Sequence, residues 1–472
     1  MSSKKQQIPD EGIFDARQLG VPKMVLLGLQ HMFAMFGATI LVPAITGLSV
    51  SSTLLFAGLG TLLFHLISKR KVPAFLGSSF AFLGGYGAVE GWAKTAGIAD
   101  QSVLLPYACL GVFCAGALYL VMAALIKAFG TNRVMRFFPP VVTGPIIIAI
   151  GLCLASSAID NCQTNWIIAA SAILIVVACN IFGKGMVKII PIMLGVIGSS
   201  LLAVILNATG AVQVFDPNKL AAFNNAPWIG LPFKYHETVF SIFLPHTENG
   251  FAFLGGNFNS GLIITAIITI VPIALATIVE HIGDISAISS TTGKNYIEDP
   301  GLHRTLLGDG LATMLASLFG APANTTYGEN TGVLTLSKVY DPRVIRIAAL
   351  FAILFSFSPK FAALIGLMPT ATIGGISLIL YGMISAVGIR NLVETQTDFT
   401  KSRNVVITAL IIGLAVGINY SAAKTLNITI GSVTIGFTGL AVGALVGIFL
   451  NAILPGKDWQ FQEKIKNVHK MN

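Results

Sequence analysis

Gly77-Ser78-Ser79-Phe80-Ala81 and Asn324-Thr325-Thr326-Tyr327-Gly328 read alike: two hydroxyl residues, an aromatic, then a small residue. Each follows a proline, Pro73 in the first case and Pro322 (after Gly320) in the second. Proline removes a backbone donor and biases its predecessor to extended geometry, so both stretches are poor helix starts. The spacing predicts a short extended strand followed by a half-helix in each, the alternative being two proline-kinked helices. An echo of five residues carries little by itself. Its position gives it weight, because the two copies fall in the third and tenth of fourteen apolar segments.

Those segments run near 24–47, 52–68, 74–89, 104–126, 138–158, 165–183 and 188–207, then 260–283, 305–320, 324–338, 344–358, 361–388, 404–419 and 430–453. The long link 208–259 divides them seven and seven. An odd number of spans per half forces the halves into inverted topology, and inverted repeats are a common transporter plan. The fold expected is an all-α membrane protein of fourteen spans, with two short crossed strands in spans 3 and 10. Extended backbone is tolerated at membrane depth only where protein buries it or it lines a cavity. The half-helix amino termini would then point N–H groups at a solute.

Composition agrees. Of 472 residues 54% are hydrophobic and 10% charged, with 49 glycines and a mean hydropathy of +0.80. Soluble domains carry about 25% charged residues, so this chain cannot cover itself with a water-facing surface. Fourteen spans of roughly 20 residues leave no room for a large extramembrane domain. The first 23 residues are polar and lack the apolar core of a cleavable signal.

The net charge of +9 reports topology rather than a nucleic-acid partner. With the amino terminus inside, all of the 29 Lys and Arg except Lys94, Lys219, Lys234, Lys360 and Lys424 fall on the cytoplasmic side. That is the positive-inside bias, and it leaves both termini cytoplasmic. The five cysteines show neither C-x-x-C spacing nor a histidine pair nearby, and read as small packing residues. A glycine is missing from the dinucleotide-loop pattern at Gly58-Leu59-Gly60, and no phosphate-loop lysine motif occurs. No enzyme activity, cofactor or metal site is expected.

Charges inside spans cost at least about 2.5–3.5 kcal/mol at the bilayer centre, so the few that occur carry the functional signal. Glu280 ends the apolar run Ile268–Val279, Asp284 follows on the same helix face, and Glu329 sits between Gly328 and Asn330. Asp309 is expected near the cytoplasmic interface. No Lys or Arg occupies the middle of any span. A carboxyl group that loads and releases a proton there is what proton coupling requires. His31 is expected to hydrogen-bond one of the carboxylates from beside the site, whereas His281 reads as structural. Phe80 and Tyr327, at the half-helix starts, are placed to stack on a flat ligand.

These residues resemble the nucleobase:cation symporters of the nucleobase–ascorbate transporter family. The likeness is carried by Leu29-Gln30-His31-Met32-Phe33-Ala34-Met35-Phe36-Gly37-Ala38-Thr39, by Pro73 through Phe82, by Glu280-His281-Ile282-Gly283, by Pro300-Gly301-Leu302-His303-Arg304, and by Asn324 through Asn330. Met368-Pro369 through Gly374-Gly375 to Tyr381-Gly382 matches the family's signature region. The resemblance implies a core domain (24–137 and 260–358) and a gate domain (138–207 and 359–453), flanked by tails 1–23 and 454–472 and split by the external loop 208–259. It implies that Glu280 and Glu329 accept hydrogen bonds from a nucleobase, that Phe80 stacks on it, and that backbone at Ala38, Tyr327 and Gly328 binds its edge. Tyr381 would stand near the pocket on the gate side, with His31, Asp284 and Asn330 serving proton coupling or supporting the site.

One departure concerns Asp284. Uracil carriers of this family usually have histidine there. Either Asp284 holds the proton in its place, or its like charge makes Glu280 hold it. Glutamate at 329, where xanthine and urate carriers usually have glutamine, favours uracil. The function expected is therefore proton-coupled uracil import across a bacterial cytoplasmic membrane. The alternatives are Na⁺ as the coupling ion, xanthine or another purine as substrate, and an anion transporter or channel on the same fold. Membrane lipid is the expected surround, and the resemblance implies homodimerisation through the gate domain.

Overall fold

The computed structural model describes residues 12–87, 89, 101–210, 214–244, 246–247, 250–251, 259–430, 433–456 and 459. Local chemistry sets the helix ends. α1 (Val21–Thr46) opens with Pro22 in its first turn, where a missing N–H costs nothing, and closes on left-handed Gly47. α2 (Val50–Ile67) is capped by Ser49, whose side chain accepts from the Ser52 N–H. Strand β1 (Leu76–Ser78) follows, then α3 (Leu105–Phe129), α4 (Pro140–Gln163), α5 (Trp166–Phe182) and α6 (Pro191–Ala208). The second half runs α7 (Ser260–Ile270), α8 (Ile273–Thr292), α9 (Leu302–Leu318), β2 (Asn324–Thr326), α10 (Gly328–Ser337), α11 (Pro342–Ser356), α12 (Pro359–Gly366), α13 (Thr370–Glu394), α14 (Ser402–Asn419), β3 (Thr425–Ile430), β4 (Val433–Thr438) and α15 (Gly439–Ile453).

Among the described residues, eight helices are long and apolar enough to cross a membrane, counting Ser260–Thr292 as one. The pair α11–α12, bent by 87°, makes a ninth. α5 and α15 are shorter apolar helices. The two strand–helix segments interrupt the helical pattern where the prolines foretell it.

Three segments need the largest correction. The eighth segment breaks at Val271–Pro272, and α8 then runs nine residues past its expected end at 283. Its polar final turns satisfy themselves: Ser286, Ser289 and Thr292 each donate to the carbonyl four residues back. The twelfth begins at 370 rather than 361, because α12 is a separate helix ended before Pro369. The fourteenth begins at 439. Ile430 and Val433–Thr438, expected in the apolar span, belong to the hairpin β3–β4, whose Ile/Thr alternation has the period of a strand.

Helix contacts come in mates under an exchange of the two halves. α2 packs on α11, and its mate α9 packs on α3; α1 packs on α11, and α7 on α3. Likewise α5–α6 matches α14–α15, and α13–α5 matches α4–α14. The α4–α13 and α2–α9 contacts, and the β1–β2 pair, each map onto themselves. Such reciprocity is the structural form of an inverted repeat, but the strand register matches Gly77 with Thr325 and Phe80 with Gly328, one residue out of step with the echo read from the sequence.

Close approach of α3 and α9 depends on Gly116 and Gly310. A Cβ on Gly310 would lie 2.5 Å from the Tyr119 Cβ and 2.9 Å from the Gly116 carbonyl oxygen. Membrane helices gain their packing from such small residues. Gly310→Val should lower the thermal midpoint, by an overpacking cost of about 1–3 kcal/mol, with Gly310→Ala between. A midpoint equal to wild type in both variants would show the contact to be loose.

Candidate functional site

The site is built on the strand crossing. β1 and β2 pair antiparallel, with Gly77 opposite Thr325. The Ser79 N–H donates to Ala323 O (2.8 Å) and the Tyr327 N–H to Phe75 O (3.0 Å), lengthening the ladder at both ends. Backbone this short and this deep needs partners, and hydroxyls from α2 and α9 supply them. Thr61 Oγ accepts from the Leu76 N–H (2.9 Å) and donates to Leu76 O (3.2 Å); Thr313 Oγ donates to Asn324 O (2.8 Å). Asn324 in turn donates to Phe56 O at 2.9 Å. Thr61 and Thr313 sit in mated helices, so the two halves hold their strands by the same device.

The two aromatics then part ways. Tyr327 is locked: its hydroxyl donates to Ser78 O (2.9 Å) and receives Thr39 Oγ at 3.3 Å, and Ser78 Oγ donates to Thr39 O (2.7 Å). Its ring lies over Gly77, where any Cβ would come within 2.5 Å of it. Tyr327 therefore clamps α1 to the strands and is not free to stack on a ligand, contrary to the reading from position alone. Phe80 is half-buried and meets the buried Tyr381 of α13 edge-on, ring centroids 6.4 Å apart. Phe80 and Tyr381 thus stand together, one from each sequence half.

Ala38 is fully buried in α1, one residue before Thr39. His31, also fully buried, pairs with Asn330 rather than a carboxylate. Asn330 Nδ2 lies 3.2 Å from His31 Nδ1 and donates to His31 O at 3.0 Å. α10 begins at Gly328, and the Tyr327 side chain before it makes no capping bond. Glu329 follows in that first turn, and its side chain lies outside the described residues.

On α8, Glu280 and Asp284 are half-buried. Thr326 Oγ donates to Asp284 Oδ2 at 2.7 Å, tying the carboxylate face of α8 to the end of β2. Asp309 is fully buried by protein, with an oxygen 2.7 Å from His281 Nδ1. The Phe64 ring meets His281 edge-on at 6.3 Å. This pair locks α8 to α9 from behind the face that carries Glu280. The sequence signal for it was available, since an acid and a histidine both interrupt apolar runs, but one-dimensional spacing did not join them. Among the described residues no cluster has the makeup of a metal site, and all five cysteines are free.

The arrangement presents acidic acceptors from α8, the start of α10 with its first-turn N–H groups, and a half-buried aromatic edge. Together these suit a flat, uncharged molecule with donors and acceptors around its rim.

A family profile described as "Permease family" matches residues 22–424. The uracil permease of Bacillus caldolyticus is 39% identical over 446 residues, 93% of each chain. That of Bacillus subtilis (strain 168) is 37% identical, covering 91% of this chain and 92% of its own. The putative pyrimidine permease RutG of Escherichia coli (strain K12) is 34% identical over 95% and 92%. Among solved structures, the transmembrane domain of the cyanobacterial bicarbonate transporter BicA superposes with a TM-score of 0.57 at 13% identity, covering 93% of this chain and 99% of that one. SLC26A9 gives 0.56 at 11%, covering 93% and 65%. At such identities the structural likeness speaks for the fold alone.

Proposed function

Since the chain belongs to the permease family of nucleobase:cation symporters, we propose that it imports uracil with a proton across the bacterial cytoplasmic membrane. The relatives named uracil permeases, alike over nine-tenths of the chain, support the substrate. The observation that carries the site is the Thr326–Asp284 bond, which brings the acidic face of α8 against the strand crossing. Uracil has two N–H donors and two carbonyl acceptors. Glu280 and Glu329 would accept from the donors, the first-turn N–H groups of α10 and backbone near Ala38 would serve the carbonyls, and Phe80 would cover one face. An analogue lacking a donor strands a buried acid, which makes such a site discriminating.

Fourteen crossings, with a core of 24–137 and 260–358 moving against a gate of 138–207 and 359–453, give the transport cycle. Proton and uracil load from outside between Phe80 on the core and Tyr381 on the gate. The core shifts, the proton leaves inward, and uracil follows. Asp284 is the coupling group in this reading, with His31 and Asn330 orienting α1 against α10. No cofactor enters.

Radiolabelled uracil uptake into proteoliposomes tests it. Accumulation above equilibrium is expected only with an inward proton gradient. Saturable uptake indifferent to that gradient would remove the proton, and xanthine accumulating where uracil does not would remove the substrate. Asp284→Ala should weaken gradient-driven accumulation more than uracil binding. If uptake by that variant keeps the wild-type pH dependence, Asp284 is not the coupling group.

A further inference from the structure

Away from the strand crossing, a cleft of about 710 Å³ opens on the face that carries the amino-terminal segment. Five cations line it: Arg70, Lys71, Lys294, Arg343 and Arg346. Two are neutralised. Lys71 pairs with Asp299, and Arg343 reaches Asp15 (2.9 Å) and Asp341 (3.2 Å). The remaining three, Arg70, Arg346 and Lys294, have no carboxylate partner among the described residues. Lys294 instead lies 3.9 Å above the Phe14 ring. Three like charges facing one concavity repel each other, and no direct ion pair among the described residues relieves them.

It holds them there at some cost. Lys69 and Arg70 both adopt left-handed backbone, φ 57° and 58°, a conformation uncommon for residues with a side chain and frequent at functional loops. The wall opposite is stitched in place. The Ile13 N–H donates to Lys338 O and the Tyr340 N–H to Ile13 O, both at 2.8 Å, and Asp341 accepts from the Ala16 N–H at 2.8 Å. A preformed, part-aromatic cleft with three cations outside any direct ion pair matches a multiply charged anion, and its volume lies in the range of small-molecule pockets. Guanidinium groups bind phosphoryl oxygens in paired, charge-assisted hydrogen bonds.

We propose that this cleft is a binding site for a phosphate-bearing anion of charge −2 or more, supplied either by a soluble oligophosphate or by an acidic phospholipid headgroup. It lies apart from the strand crossing and uses none of its residues.

The test is the thermal midpoint of the purified full chain. In neutral detergent at constant ionic strength, inorganic pyrophosphate should raise the midpoint saturably. Arg70→Gln and Arg346→Gln should each weaken that response at least about tenfold, while Lys360→Gln on another surface leaves it unchanged. If pyrophosphate is inert but nanodiscs containing phosphatidylglycerol stabilise relative to phosphatidylcholine alone, with the same dependence on Arg70 and Arg346, the phosphate comes from lipid. No stabilisation in either arm overturns the site, as does stabilisation indifferent to both substitutions. The ligand-free midpoint of Arg70→Gln gives a second reading. Removal of an unopposed charge from an exposed loop should leave it unchanged or higher, and a clear drop would make Arg70 a structural residue.

Discussion

Glu329→Ala should reduce uracil affinity by two orders of magnitude or more. Glu329 stands in the first turn of α10, directly after the segment where the chain leaves β2. A helix amino terminus favours negative charge in its first turn. Each charge-assisted hydrogen bond from a uracil N–H contributes about 1.5–3 kcal/mol, roughly 10–100-fold in affinity. Truncation also leaves the bound donor without the acceptor that Glu329 would supply. Glu329→Gln keeps one acceptor oxygen and adds a donor. It should recover part of the affinity and shift preference toward bases whose rim offers an acceptor at that point. Equilibrium binding of radiolabelled uracil to purified protein decides the matter. Affinity within about threefold of wild type in the alanine variant is too small a change for a lost charged hydrogen bond and would remove Glu329 from the site.

Much of this architecture was legible in the sequence because membranes simplify the physics. Long apolar runs must be helices, so Val21–Thr46 and Leu105–Phe129 fall within three residues of their expected bounds. The paired prolines announced the strands, since nothing else breaks apolar helices so regularly at matching places. Periodicity failed where two patterns overlap: the hairpin β3–β4 is as apolar as a helix, and only its two-residue alternation betrays it. Long-range pairing was the other blind spot. The Thr39–Ser78–Tyr327 clamp joins residues from three elements, and no spacing rule links Thr39 to Tyr327. Position made Tyr327 look like a stacking platform, and three-dimensional hydrogen bonding made it a strut. The same limit hid the true partner of His31, since Asn330 lies 299 positions away.

The second large effect belongs to such a hidden pair. His281→Ala should destabilise the protein by about 1–3 kcal/mol, the usual consequence of stranding a buried polar group without its partner. Asp309 is fully buried, and its partner His281, 2.7 Å away, is equally enclosed between α8 and α9. Without the imidazole the carboxylate keeps its desolvation penalty and loses its compensation. Asp309→Ala should be damaging for the reciprocal reason. The double variant His281→Leu/Asp309→Leu removes both polar groups and fills their volume, so it should be more stable than either single alanine variant. That inversion of the expected sum is the signature of coupling between neighbours. Thermal midpoints of the four proteins in one detergent provide the measurement. Two alanine variants that lose little, with a double variant that loses more than both, would mean the contact contributes nothing and α8 is held by packing alone. The pair matters for transport because Glu280 precedes His281 on the same helix. Whatever fixes the back of α8 against α9 also fixes the direction in which its acidic face meets the strand crossing.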